Sequence, residues 1–372
     1  MTPGRPKVLL VVDNLHEHVG GAERFFVGLA THLPPHRFQL RTLTTRAARG
    51  PLLEMLQAAG IPHVNLGRRT GYDYHRLAGL ARVLRQERID VLHTHKFGSN
   101  LSGTVIGTLC RVPVIVAHEH SWSYDGHPIR KVLDGQLIGR LADRFVSVST
   151  ADRNRMISME GVPAEKTLVM PNAYVPRAVE SHSDLRRELG LPAGTPLVGT
   201  AVHMRPQKAL EVLLDAHVLV LREEPEARLV LAGDGPERSR IEALAAQLGL
   251  TGSVIFLGHR EDIDGILRCL DVAALCSDYE GTPLLVFECM AHRTPLVATS
   301  VGGLPDVVDN GVTGILVPRR DPEALATAIT ALLRDPKRRK ALADAAHSHL
   351  RNFTIEAVAD RFADLYDELL AT

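Results

Sequence analysis

Short apolar runs rich in Val, Ile and Leu alternate along this chain with longer amphipathic stretches. The runs fall at 7–12, 91–95, 114–118, 145–149, 197–202, 228–232, 254–257, 272–276 and 295–298. Apolar runs without polar alternation are what strands covered on both faces require, so each is a predicted strand. Strand, helix, strand order over the whole length predicts an α/β protein with parallel sheets. The pattern breaks between Pro171 and Pro196, where a polar stretch with Ser181, Ser183 and Asp184 precedes Leu191-Pro192-Ala193-Gly194. Residues 179–194 are therefore a predicted linker between a domain at 1–178 and a second at 195–352. A last amphipathic helix is expected at 355–370 within the closing segment 353–372, with Val358, Phe362, Leu365 and Leu369 on one stripe.

With 372 residues, about two domains are expected, each able to bury a core. The net charge is zero, which argues against a nucleic-acid partner. That zero hides a split: 23 Lys and Arg stand against 14 Asp and Glu through Ala178, and 20 against 29 after it. No apolar run reaches the roughly 20 residues of a membrane span, and no signal-peptide core opens the chain, so a cytoplasmic location is expected. Cys110, Cys269, Cys276 and Cys289 have no CxxC spacing and read as buried, reduced thiols.

Candidate chemistry concentrates at predicted strand ends. In Asp278-Tyr279-Glu280-Gly281-Thr282-Pro283-Leu284-Leu285, a turn glycine leads to a helix start, Thr282 serving as N-cap and Pro283 as first helical residue. The amides there form an anion site suited to phosphate. Glu280 and Glu288 lie too far apart for a glycosidase acid/base pair and instead suit different parts of one ligand. Gly302-Gly303 forms a second turn after the next strand, on the same carboxyl edge where open sheets bind ligands. The loop His203-Met204-Arg205-Pro206-Gln207-Lys208 offers a guanidinium fork and an ammonium to a diphosphate, and Lys208 is one of only seven lysines. Gly233-Asp234-Gly235-Pro236 is a further post-strand turn. In the first domain Gly20-Gly21-Ala22-Glu23 follows the first strand but is not the GxGxxG fingerprint, which argues against a nicotinamide enzyme. The pairs His93/His95 and His118/His120 fall at strand ends, each pair on one face. Without carboxylate or thiol companions, and beside Arg and Lys, they are not expected to hold a metal.

In order and spacing these motifs together resemble the retaining glycosyltransferases of family 4, nearly end to end. The resemblance implies the GT-B fold: two Rossmann-like, doubly wound domains facing across a cleft, with acceptor on the first, nucleotide sugar on the second, and the last helix returning to the first. It implies that Arg205 and Lys208 hold the leaving diphosphate, that Glu288 binds ribose hydroxyls, and that Glu280 contacts the donor sugar. Gly281, Thr282, Pro283, Leu284 and Leu285, with Gly20, Gly21, Gly233 and Asp234, would line the donor. His120 matches the family's cleft histidine, with His118 the alternative. Two departures stand out: many members place the arginine five residues before the lysine, where this chain has His203, and Ala209 stands where glycine is often found.

The implied activity is metal-independent transfer of a hexose from a UDP- or GDP-sugar to a hydroxyl acceptor with retained configuration, in cell-envelope glycolipid, polysaccharide or glycoconjugate synthesis. No cofactor is expected. A nucleotide-sugar epimerase and a non-catalytic nucleotide-sugar-binding protein are the competing readings. Arg76, Arg82, Arg85 and Arg88 along one helix, within the basic half, suit peripheral contact with anionic membrane and a lipid-linked acceptor.

Overall fold

The computed structural model describes residues 4–15, 20–69, 73–120, 128–177 and 184–372. They divide into two compact units, Met1–Val175 with Phe353–Thr372, and Pro176–Asn352. The first holds seven strands, β1 (Lys7–Val12), β2 (Gln39–Thr44), β3 (His63–Asn65), β4 (Val91–His95), β5 (Val114–Glu119), β6 (Arg144–Ser147) and β7 (Thr167–Val169). The second holds six, β8 (Leu197–Ala201), β9 (Arg228–Ala232), β10 (Val254–Gly258), β11 (Val272–Leu275), β12 (Leu296–Thr299) and β13 (Ile315–Val317). Both sheets are parallel throughout, in orders β3-β2-β1-β4-β5-β6-β7 and β10-β9-β8-β11-β12-β13. Each is a doubly wound Rossmann-like sheet whose order reverses once, at β1/β4 and at β8/β11.

Burial on both faces explains the unbroken apolar strands. In β1, Val8, Leu10 and Val12 pack with Phe25, Phe26 and Leu29 of the helix Gly21–His32. Leu9 and Val11 face the other way, onto Leu80 and Leu84 of the helix Ala78–Glu87. In the second unit Leu229, Leu231, Val272, Ala274 and Val297 meet Leu213 and Val220 of the helix Leu210–Glu223 and Leu325 and Ile329 of the helix Pro322–Arg334.

The closing helix Ile355–Leu370 is capped by Thr354, whose side chain accepts from the Ala357 amide. Its buried stripe of Ile355, Val358, Phe362 and Tyr366 belongs to the core of the first unit. The return is stitched by Tyr174, whose amide donates to Phe353 (2.8 Å) and whose carbonyl accepts from Ile355 (3.1 Å).

Some sequence expectations need revision. Within the expected linker, residues 179–183 lie outside the described residues, whereas 184–194 form part of the second unit. There the short helix Leu185–Glu188 buries Leu185, and Arg186 binds Asp271 at 2.6 Å. Cys276 and Cys289 are buried free thiols, but Cys110 and Cys269 are only half-buried. No helix among the described residues is long and apolar enough to cross a membrane.

Candidate active site

In the second unit, the strand-order reversal brings the loops after β8 and β11 side by side. The Asp278 amide donates to the Gln207 carbonyl at 2.8 Å, and the Tyr279 hydroxyl to Gln207 Oε1 at 3.1 Å. The loop after β12 closes on the other side, with the Gly303 amide donating to the Gly281 carbonyl at 2.8 Å. Gly302 has φ +54°, and a Cβ there would lie 1.7 Å from the Glu280 carbonyl oxygen, so only glycine permits this approach. The loop after β9 docks likewise: Gly233 has φ +117°, and a Cβ would lie 2.0 Å from the Val202 carbonyl. The Met204 amide donates to the Asp234 carbonyl at 2.8 Å.

At the centre Lys208 Nζ lies 2.5 Å from Glu280 Oε1. Ser277 Oγ donates to the same oxygen at 2.6 Å. The Glu280 and Lys208 side chains are 7% and 14% exposed, so the pair is held in a poorly hydrated site where its charges act strongly. Lys208 ends a short turn, Pro206–Lys208, headed by Arg205, which is exposed and has no side-chain partner among the described residues. Ala209 takes φ +46°, ψ 43°, the left-handed conformation that glycine adopts without cost.

The helix after Glu280 begins one residue later than the sequence predicts. It spans Leu284–Ala291 with Pro283, in extended conformation, as N-cap, and no side chain of that residue caps it. Thr282 is buried one position before that cap. The amides of Leu284 and Leu285 fall in the first turn of this helix, where a helix leaves N–H groups without intrahelical partners. Glu288 is buried on the second turn, and its Oε1 accepts from Arg177 Nη2 at 2.9 Å. Arg177 Nε also lies 3.4 Å from Asp264 Oδ1, which His292 Nε2 approaches at 3.1 Å. Asp234 is exposed, its carboxylate bound by the Gly235 amide (2.7 Å) and Arg238 (3.1 Å), which together lower its pKa. Loop motifs pointed to Lys208, Glu280 and Glu288; Ser277, Gln207 and Arg177 carry no sequence signature and emerge only from the folded contacts.

In the first unit, Gly20 precedes the helix Gly21–His32, and Glu23 in its first turn pairs with Lys96 at 2.6 Å. Lys96 follows β4 with φ +71° and ψ 154°, a conformation costly for a side-chain-bearing residue and characteristic of functional loops. A depression of about 360 Å³ at this carboxyl edge is lined by Asp13, Arg46, Lys96, Phe97, Glu119 and Arg130. Arg130 lies 4.4 Å over the Phe97 ring and 3.4 Å from Glu119. A depression of about 430 Å³, lined by Arg144, Glu165 and Arg361 among others, lies by contrast at the amino ends of β6 and β7, away from the loops that carry the candidate chemistry.

His120 lies just beyond β5, with Nδ1 3.2 Å from Asn172 Oδ1 and Nε2 3.0 Å from His95 Nδ1. Burial pushes its pKa down to about 4 against the opposing Asn172 bond, so it is a neutral hydrogen-bonding group at pH 7. His118 lies within β5 and is wholly buried. Neither of its ring nitrogens has a hydrogen-bond partner, and the same is true of Nε2 of His93 and of His95. Each such buried orphan costs about 1–3 kcal/mol.

Residues 19–176 match the family described as Glycosyltransferase Family 4, and residues 181–349 match Glycosyl transferases group 1. The D-inositol 3-phosphate glycosyltransferase of Thermobispora bispora is 30% identical, the match covering 94% of this chain and 90% of that protein. Its counterpart in Corynebacterium glutamicum is 26% identical over 95% and 92%. Among solved structures, Anabaena HepE in complex with UDP-glucose superposes with a TM-score of 0.82 at 22% identity, covering 97% of this chain and 99% of that one. Sucrose-phosphate synthase from Thermosynechococcus elongatus gives 0.76 at 23%, covering 99% and 100%. With a GT-B pair of Rossmann-like sheets, both family matches in chain order and a 30% identical relative over almost its whole length, the chain belongs to the family 4 glycosyltransferases.

Proposed function

We propose that the chain transfers a hexose from a UDP- or GDP-sugar to a hydroxyl acceptor, with retention of anomeric configuration and without a divalent ion at the diphosphate. The observation that carries this reading is the buried Lys208–Glu280 pair at the strand-order reversal of the second sheet, beside the exposed Arg205. Departure of a nucleoside diphosphate builds negative charge on the β-phosphate. A fixed ammonium, a guanidinium and first-turn amides stabilise that charge more than they stabilise the bound donor. Lys208 and Arg205 take the diphosphate; Glu288, oriented by Arg177, takes the ribose hydroxyls; Glu280, held by Ser277 and Lys208, contacts the sugar. Gly233 and Asp234 shape the donor loop. On the first unit, the amides near Gly20 and Gly21 are offered to phosphate or sugar oxygens, and the neutral His120 has both ring nitrogens engaged, by Asn172 and His95. A leaving phosphate oxygen that takes the acceptor proton on the same face accounts for retention without a paired base.

The acceptor reading rests on Arg46, Lys96 and Arg130 around the depression at the β1/β4 edge, which suit an acceptor bearing phosphate. The relatives named for D-inositol 3-phosphate act on such a compound. Exposed Arg76, Arg82, Arg85 and Arg88 support contact with an anionic membrane on the cytoplasmic side, where a lipid-linked acceptor for envelope synthesis would be presented. Nucleoside diphosphate release, screened over UDP-, GDP- and ADP-sugars with phosphorylated polyols and lipid-linked hydroxyl acceptors, tests the reading. Acceptor-dependent release with one donor class is expected; alteration of the donor without acceptor refutes it. Sedimentation with anionic but not neutral vesicles at low salt tests the membrane contact, and equal sedimentation refutes it.

A further inference from the structure

β4 and β5 are neighbours in parallel register, with His95 opposite His118 and His93 opposite Val116. Period two puts His93, His95 and His118 on one face of the sheet. Phe25, Phe26, Phe362 and Tyr366 surround the rings and make their setting apolar. Two of the rings are anchored by one nitrogen only. His93 Nδ1 lies 2.6 Å from the Tyr366 hydroxyl, and His95 Nδ1 lies 3.0 Å from His120 Nε2, which Asn172 steadies from behind. The other nitrogens, Nε2 of His93 and His95 and both of His118, are buried and unpartnered. One nitrogen from each of the three lies within 4.8 Å of the others.

Ligating histidines commonly have one ring nitrogen fixed by an outer hydrogen bond, as His93 and His95 have here, which leaves the other nitrogen for the ion. We propose that His93, His95 and His118 bind a divalent transition-metal ion of the zinc class, with Tyr366 and His120 holding two of the rings in place. Imidazole is a preferred ligand for zinc, copper and nickel. Nitrogens about 2.05 Å from a tetrahedral ion lie about 3.4 Å apart, so the rings need to swing inward by about an ångström. The repulsion expected from neighbouring cations is offset, because Lys96 is paired with Glu23 at 2.6 Å. The ion would tie β4 to β5 and, through Tyr366, to the closing helix. It is a structural site in the first unit, distinct from the diphosphate chemistry assigned to the second.

The test uses tag-free, full-length protein from zinc-supplemented culture, and the same protein unfolded with chelator and refolded with cobalt(II) or zinc. After desalting, about one ion per chain is expected, and the cobalt form should show visible d–d bands with paramagnetically shifted imidazole N–H resonances. Zinc should raise the melting temperature of the wild type, and His93→Asn or His118→Asn should abolish both retention and that rise. If these variants fail to fold, the shifted imidazole resonances of the wild-type cobalt protein still read the ligand set. Absence of retained metal by both routes overturns the proposal, leaving a buried water as the partner of these nitrogens. Equal retention in folded His93→Asn and His118→Asn variants overturns it too, by locating the metal on surface histidines.

Discussion

Replacing Lys208 by Met removes one partner of a buried pair and strands the other. Glu280 is 7% exposed on its side chain, and Ser277 alone cannot replace a cation 2.5 Å away. Breaking a buried pair by removing one partner costs about 3–5 kcal/mol, because the remaining charge is left uncompensated, and a loss of this order is expected for Lys208→Met. The double variant Lys208→Met/Glu280→Gln should recover most of the loss, because the amide still accepts from Ser277 and no charge is stranded. Denaturant titration read by hydrogen exchange in β8, β9, β11 and β12 measures all three proteins. A loss below about 1 kcal/mol, or a double variant no more stable than Lys208→Met, refutes the reasoning. In the same proteins nucleoside diphosphate release under saturating donor should fall by about two to three orders of magnitude in kcat for Lys208→Met. An unchanged kcat removes Lys208 from the leaving-group role whatever the stability result.

Two further outcomes follow from local geometry. Gly302→Ala forces a side chain into the left-handed region and against the Glu280 carbonyl, and should destabilise the second unit by at least about 2 kcal/mol and lower donor affinity; a thermal shift within error of wild type refutes the close approach. His217 is buried and its pKa is pushed down to about 4, so the unfolded chain binds its proton first as the medium acidifies. The stability that neutral His217 allows is fully present above pH 6.5 and is lost between 6.5 and 4, roughly 3 kcal/mol in all. His217→Gln should flatten that part of the unfolding profile, and an unaltered slope would show that other groups set the acid limit.

The strands legible from the sequence are those buried on both faces, because their apolar runs are unbroken. β1, β4 and β9 coincide with their predicted limits, and the others agree within a residue or two. Four strands gave no such signal. β2 reads Gln39-Leu40-Arg41-Thr42-Leu43-Thr44, with only Leu40 and Leu43 apolar and its first half partly solvated. β3, β7 and β13 are three-residue edge strands, too short to leave a pattern. The helix at Leu284 was legible, but not its first residue, because Thr-Pro is compatible with either of two cap positions and the buried surroundings of Thr282 select one.

Local sequence was enough for the α/β class, the parallel sheets, the closing amphipathic helix, the strand-end loops bearing Lys208 and Glu280, and the helix bearing Glu288. These follow from local periodicity and turn chemistry, which neighbours in sequence express. Tertiary structure decided which loops meet. Ser277 and Lys208 converge on one oxygen of Glu280, Arg177 reaches Glu288 across 111 positions, and two His-x-His pairs become one buried cluster against Tyr366 of the last helix. Such contacts depend on strand order and register, which arise from the packing of the whole sheet and leave no trace in any single stretch of chain.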